Sequence, residues 1–156
     1  LLCGMKWLIC RRKGRRAVLS GTYRHTLDAK GRVIVPVRFR GDLGESFMVT
    51  RGLDDCLALY SMKEWQRLEE KIAALPMASS RQIQRYLFAN AYPAEIDNNG
   101  RTVIPPELRE FAGLTKDVVI VGVSSRAEIW DAGRWEQSEV SSPSTSVTQM
   151  MIELGL

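Results

Sequence analysis

Residues 27–40 read LDAKGRVIVPVRFR and residues 96–109 read IDNNGRTVIPPELR, an offset of 69. Five of these fourteen positions are identical: Asp28/Asp97, Gly31/Gly100, Arg32/Arg101, Pro36/Pro105 and Arg40/Arg109. Residue frequencies alone give about one identity in a pair of that length. Four more positions keep apolar character: Leu27/Ile96, Ile34/Val103, Val35/Ile104 and Phe39/Leu108. Farther along, Tyr60 and Trp65 answer to Trp130 and Trp135 at an offset of 70. A duplicated unit of about 45 residues is the economical explanation. The chain must therefore fold around two copies of one small motif.

Each copy parses into strands and one short helix. Residues 22–27 and 32–35 read as two strands of a hairpin around the turn Asp28-Ala29-Lys30-Gly31. Aspartate favours turn starts, and glycine supplies positive φ without a steric penalty. Pro36 ends the strand and suits the first position of a helix. Residues 47–50 and 56–60 form a second strand pair. The counterparts are strands at 94–96, 102–104, 118–123 and 127–130, with a short helix from Pro105 or Pro106 to Ala112, stopped by Gly113. Between the copies, Trp65, Leu68, Ile72 and Leu75 share one helical face. Pro76 interrupts that helix, and Ser80 is placed to cap a second. The fold class is α+β, mainly β.

Charge divides the chain. The net charge is +4, yet residues 1–20 hold Lys6, Arg11, Arg12, Lys13, Arg15 and Arg16 with no acid, so the remainder stands at −2. Nucleic-acid binding must then rest on local basic loops rather than on overall basicity. Residues 1–19 read as a disordered or spurious basic extension, or else as a cationic arm adding non-specific phosphate affinity. Residues 20–66 form the first repeat, 67–91 the connecting helices, 92–137 the second repeat, and 138–156 a Ser/Thr-rich flexible tail, with at most a helical turn over 150–154.

Enzyme classes find little support. Cys3, Cys10 and Cys56 lack metal-ligand spacing, and His25 is the one histidine. No nucleophile elbow, phosphate loop or dinucleotide fingerprint is present. Aliphatic runs such as 118–121 are far too short to span a bilayer. No catalytic residue, metal or cofactor is expected, and no membrane partner.

The loop Asp28-Ala29-Lys30-Gly31-Arg32 permits two readings. A cationic hairpin tip can enter a groove, with arginine bonding O6 and N7 of guanine together and lysine meeting phosphate. Alternatively, Asp28 and Arg32 pair across the turn and hold it. Arg40 and Arg109 each follow a motif proline by four and can point back to the loop. They serve either as phosphate contacts or in internal salt bridges, to Asp28 or Asp97. Trp65, Trp130 and Trp135 read as core or subunit contacts, and His25 as a hydrogen-bonded strand residue.

The pattern Asp-x-Lys-Gly-Arg-x-x-x-Pro-x-x-x-Arg at 28–40, its degenerate copy at 97–109, the lead-in 21–27, and the runs 113–118 and 128–130 together resemble the MraZ family of bacterial transcriptional regulators. The resemblance covers residues 20–137. It implies two AbrB-like swapped-hairpin repeats forming a small pseudo-symmetric β-barrel with short intervening helices. It implies a homo-oligomeric ring that binds G-rich direct repeats in double-stranded promoter DNA, modulating or repressing the division and cell-wall gene cluster. It places the protein in the cytoplasm, over the nucleoid. The DNA-contacting residues it implies are Lys30 and Arg32, with Arg101 by position; Arg24 and Arg40 are further candidate DNA contacts beside the loops. Asp28, Gly31, Pro36, Asp97, Gly100, Pro105 and Arg109 shape the motif. Asn99 stands where the first copy has Lys30, so the first loop is expected to dominate. A competing reading is an AbrB-like antitoxin or protein-interaction scaffold.

Overall fold

The computed structural model of the protein describes residues 18–141 and 144–156. Most of the basic N-terminal segment lies outside the described residues; Leu19, assigned to it above, opens the first strand and is buried. The elements run β1 (Leu19–Thr26), β2 (Arg32–Ile34), α1 (Val37–Leu43), β3 (Ser46–Arg51), β4 (Leu57–Ser61), α2 (Met62–Ala73), α3 (Met77–Leu87), β5 (Tyr92–Glu95), β6 (Arg101–Val103), α4 (Pro106–Ala112), β7 (Asp117–Ser124), β8 (Ala127–Asp131), α5 (Ala132–Ser141) and α6 (Ser144–Glu153).

The two repeats exchange strands. β1 pairs antiparallel with β7, and β5 with β3, so the first strand of each repeat joins the third strand of the other. The registers match under the exchange: Tyr23 faces Ile120 as Tyr92 faces Val49. β2 pairs with β6 about a centre at Val33 and Thr102, and β4 pairs with β8 about a centre at Ala58 and Glu128. A pseudo-twofold axis relating the repeats therefore passes through both central pairs. This corrects the simple hairpin that local spacing suggests for β1 and β2, and it agrees with the swapped hairpins implied by the family resemblance. Their turn is closed locally, but the strands then leave for different sheets. β1 gains eight register partners on β7, whereas the three-residue β2 offers far fewer.

The main sheet has the order β1-β7-β8-β4-β3-β5, with β2 and β6 forming a separate ribbon. Its hydrogen bonding does not close into a barrel; β1 and β5 are its edges. β7 is an interior strand, between β1 and β8, and reads as a continuous apolar run because both its faces are covered. Val118 and Ile120 enter the main core with Phe39, Phe47, Val49, Leu57 and Leu108. Val119 and Val121 turn to the other face, against Cys56 and Trp130. Trp65 and Trp130 are buried, and Trp135 packs edge-on to Trp130 at 5.5 Å between ring centroids. Both repeats contribute to one core, so neither half buries its apolar face alone.

The helix ends follow local chemistry, with three departures from the sequence reading. Pro36 is the cap residue before α1 rather than its first residue. Ser80 does not cap α3: Pro76 takes that place, and Ser80 is buried inside the helix with its Oγ 3.5 Å from the Met77 carbonyl. The Ser/Thr-rich end, read above as a tail, is helical in α5 and α6. Apolar residues at helical spacing (Val147, Met150, Met151, Leu154) accompany α6, though they remain exposed. α4 ends in a Schellman motif: Gly113 at φ 65° donates to the Glu110 carbonyl, and Leu114 to that of Arg109. No helix among the described residues is long and apolar enough to cross a membrane.

Candidate nucleic-acid interface

The two repeated loops have the same construction. In the first, the Asp28 N–H donates to the Arg32 carbonyl at 2.9 Å and the Gly31 N–H to the Asp28 carbonyl at 3.0 Å. Asp28 Oδ1 accepts the N–H groups of Lys30 and Arg32, each at 2.9 Å. In the second, Asp97 N–H to Arg101 is 2.8 Å, Gly100 N–H to Asp97 is 3.0 Å, and Asp97 Oδ1 accepts from Asn99 and Arg101 at 2.9 Å. Gly31 and Gly100 sit at φ 78° and 76°, a region that a side chain disfavours. The aspartate is thus an acceptor that freezes the turn. Backbone N–H donation, Arg32 first for Asp28 and Arg101 first for Asp97, holds each carboxyl below its ordinary range.

The arginine of each motif is partly committed to its own aspartate. Arg32 Nε donates to Asp28 Oδ2 at 2.7 Å, and Arg101 Nε to Asp97 Oδ2 at 3.3 Å. Their side chains are 29% and 28% exposed. The pairing reading of the loop is therefore realised, and it leaves the terminal amino groups of both guanidinium groups without hydrogen-bond partners among the described residues. Lys30 is exposed beside Arg32, as Asn99 is beside Arg101.

The ribbon of β2 and β6 carries both arginines. Val33 and Thr102 are buried, whereas Arg32, Ile34, Arg101 and Val103 alternate onto the outward face. Ile34 is 41% exposed and Val103 43%. Each loop lies at one end of this ribbon. Gly31 O accepts from Ile104 N–H at 2.8 Å, and Gly100 O from Val35 N–H at 2.9 Å.

The surroundings of the loops differ. Leu27 N–H donates to the Lys116 carbonyl at the base of loop one, while Ile96 N–H donates to that of Glu45 at loop two. Both flanking side chains are exposed, one cationic and one anionic. Arg24 lies on edge strand β1, 61% exposed, 3.4 Å from Glu136. His25 is half-buried, and burial first, then the nearby Arg40 charge, lowers its pKa.

Arg40 and Arg109 do not fold back onto their own loops. The Arg40 guanidinium lies against Gly100 and that of Arg109 against Gly31, each in the opposite repeat. Neither forms a salt bridge with Asp28 or Asp97; Arg40 Nε donates to the Val35 carbonyl at 2.9 Å. Sequence spacing could not reveal this crossing, because it follows from strand exchange. Sequence reasoning also passed over Arg51, whose guanidinium carbon stacks 4.6 Å above the Phe111 ring. A groove of about 930 Å³ lies away from both loops. Asp54, Asp55, Asp131 and Glu139 line it beside Trp130 and Arg134, a surface unsuited to a phosphate backbone.

Comparison with known proteins agrees with the repeat. A family model described as "MraZ protein, putative antitoxin-like" matches residues 18–85 and 87–152. A protein called transcriptional regulator MraZ from Acetivibrio thermocellus is 47% identical over 140 residues, covering 87% of this chain and 98% of that protein. Another of that name, from Caldicellulosiruptor saccharolyticus, is 49% identical over 144 residues, covering 89% of this chain and 100% of its own length. The relative from Thermoanaerobacter pseudethanolicus is 49% identical over 122 residues, with 77% and 85% covered. Two matched family segments coincide with two copies of an aspartate-closed basic loop, and the chain belongs to the MraZ family.

Proposed function

We propose that this protein is a sequence-specific DNA-binding transcriptional regulator. The observation that carries the reading is the pair of loops alike in geometry, each stiffened by an aspartate and each presenting an arginine whose terminal amino groups have no hydrogen-bond partner among the described residues. A stiff turn lowers the entropy lost when its arginine meets a base edge. One bidentate arginine–guanine contact discriminates by about 1–3 kcal/mol. The regulatory names of the relatives support the same reading.

The proposed contacts are Lys30, Arg32 and Arg101, with Arg24 and Arg40 beside them. Loop one, flanked by Lys116, leads; loop two has Asn99 and Glu45 in the equivalent places. The two loops stand about four residues apart along the ribbon, roughly 13 Å at strand rise. One helical turn of DNA is about 34 Å. The loops of one chain thus address a single groove segment, and spaced promoter repeats need several chains. A homo-oligomeric ring of pseudo-symmetric AbrB-like swapped-hairpin units, its strands curled towards a small barrel, meets that need. Several weak loops then act at high effective concentration. The target we propose is a set of short direct repeats ahead of the division and cell-wall genes, which the bound protein represses or modulates, in the cytoplasm at the nucleoid.

The test is a shift assay and footprint on labelled duplex from the gene's own upstream region, with wild type beside Arg32→Ala. Periodic protection by wild type, lost in the variant, is the expected result. Equal binding by both proteins would remove Arg32 from the interface. The antitoxin-like wording of the matching family favours one other reading, a protein-binding module. No shift on any upstream duplex, with stable capture of one protein partner, would select it.

A further inference from the structure

The strand exchange places an arginine from each repeat beside the loop of the other. A Cβ built on Gly31 would lie 2.7 Å from Cζ of Arg109, and one on Gly100 would lie closer still to Cζ of Arg40. Both guanidinium groups therefore rest on the glycine faces of the opposite loops. Neither is paired with a carboxylate among the described residues. The Nε–H of Arg40 is held by the Val35 carbonyl, whereas that of Arg109 is buried without an acceptor. Among the described residues, the terminal amino groups of both carry no hydrogen bond and are not enclosed.

Charge accounting gives these positions a role. In loop one the Arg32 cation is matched by Asp28, and in loop two the Arg101 cation by Asp97. The uncompensated charge of loop one is then Lys30 plus Arg109, with exposed Lys116 at its flank. In loop two, where Asn99 replaces the lysine, Arg40 is the remaining loop cation, and exposed Glu45 flanks it. A polyanionic backbone responds to that surplus, because neutralised phosphates release counterions. Paired arginines can still read base edges through their free amino groups, but they add little net charge.

We propose that each loop site is a composite of both repeats, in which Arg109 completes site one and Arg40 completes site two by contacting a DNA phosphate. Neither repeat carries a whole site. The glycine leaves the room that the incoming guanidinium occupies, which gives the Gly-Arg pairing in the motif a reason beyond turn geometry. The arginine four residues after the motif proline then serves the other repeat's loop. This inference rests on the DNA-binding reading above.

The experiment measures fluorescence anisotropy of a labelled upstream duplex from about 50 to 300 mM salt, a range over which phosphate contacts are strongly screened. Wild type is measured first; if it does not bind, the DNA-binding reading itself falls. Arg32→Ala reports the base contact separately. Given wild-type binding, Arg109→Gln is expected to weaken it about tenfold at 0.15 M salt and to flatten the log–log salt slope by about one per engaged loop. Arg40→Gln should flatten it similarly. Arg109→Lys and Arg40→Lys should keep the wild-type slope. Equal loss in the Gln and Lys variants with an unchanged slope would mean packing only and would overturn the composite site. Unchanged affinity in Arg109→Gln would overturn it too. Circular dichroism checks the fold. Should Arg109→Gln unfold, Arg109→Lys decides: a wild-type slope with affinity within about threefold supports the contact, and a loss like that of Arg32→Ala refutes it.

Discussion

The guanidinium of Arg109 lies across Gly31, close enough that a methyl group on the glycine would stand 2.7 Å from the arginine's Cζ. Gly31 also holds φ 78°. A Gly31→Ala substitution meets both obstacles, a left-handed backbone and an occupied face. It should cost about 1–3 kcal/mol of stability and displace the loop from Arg109. Urea unfolding beside DNA binding checks this. A variant with wild-type stability and affinity would show that the loop relaxes freely.

Asp28 makes a counterintuitive case. Replacing it by alanine makes the loop more cationic, which simple charge attraction would reward. The side chain, however, accepts two backbone N–H groups and the Arg32 Nε–H. Asp28→Ala should therefore lower specific DNA affinity on the order of tenfold, as for one misplaced base contact. Asp28→Asn should fall between, because its amide oxygen can still accept the backbone bonds. Tighter specific binding by Asp28→Ala would mean that charge outweighs order here.

His25 ties stability to pH. Burial and the Arg40 charge lower its pKa in the folded protein, so the unfolded chain binds the proton more readily. Its contribution is fully present above the unfolded value of about 6.5. It is lost as pH falls from there through the folded value. Chemical denaturation of His25→Gln should lack the part of the decline that begins near that pH. An identical profile in the variant would assign the decline to other groups.

Cys56 is fully buried, and burial chiefly pushes its thiol up to about 12. The thiolate is the reactive form, so a disulfide reagent at pH 8 should leave Cys56 unmodified in the folded protein. Modification should keep pace with unfolding in denaturant. Rapid labelling of Cys56 itself without denaturant, read from its peptide and apart from Cys3 and Cys10, would show that the small core around Val119, Val121 and Trp130 opens readily.

Local chemistry in the chain was enough to find the duplicated motif, both loops, the proline-led helices and the Gly113 stop. Turns and caps depend on a few neighbouring residues, so spacing exposes them. The aspartate–arginine pairing was legible as one of two options, since it too is local. The partner of each strand was not legible in local spacing; the family resemblance implied only that the hairpins are swapped. A hairpin and an exchanged hairpin have the same turn and the same alternation, and they differ in long-range pairing that no short window contains. Tertiary structure alone decided that β1 joins β7, that both repeats share one core, and that Arg40 and Arg109 each reach the other's loop. Burial of a joint apolar core drives that choice, because the apolar side chains of both repeats pack into one cluster.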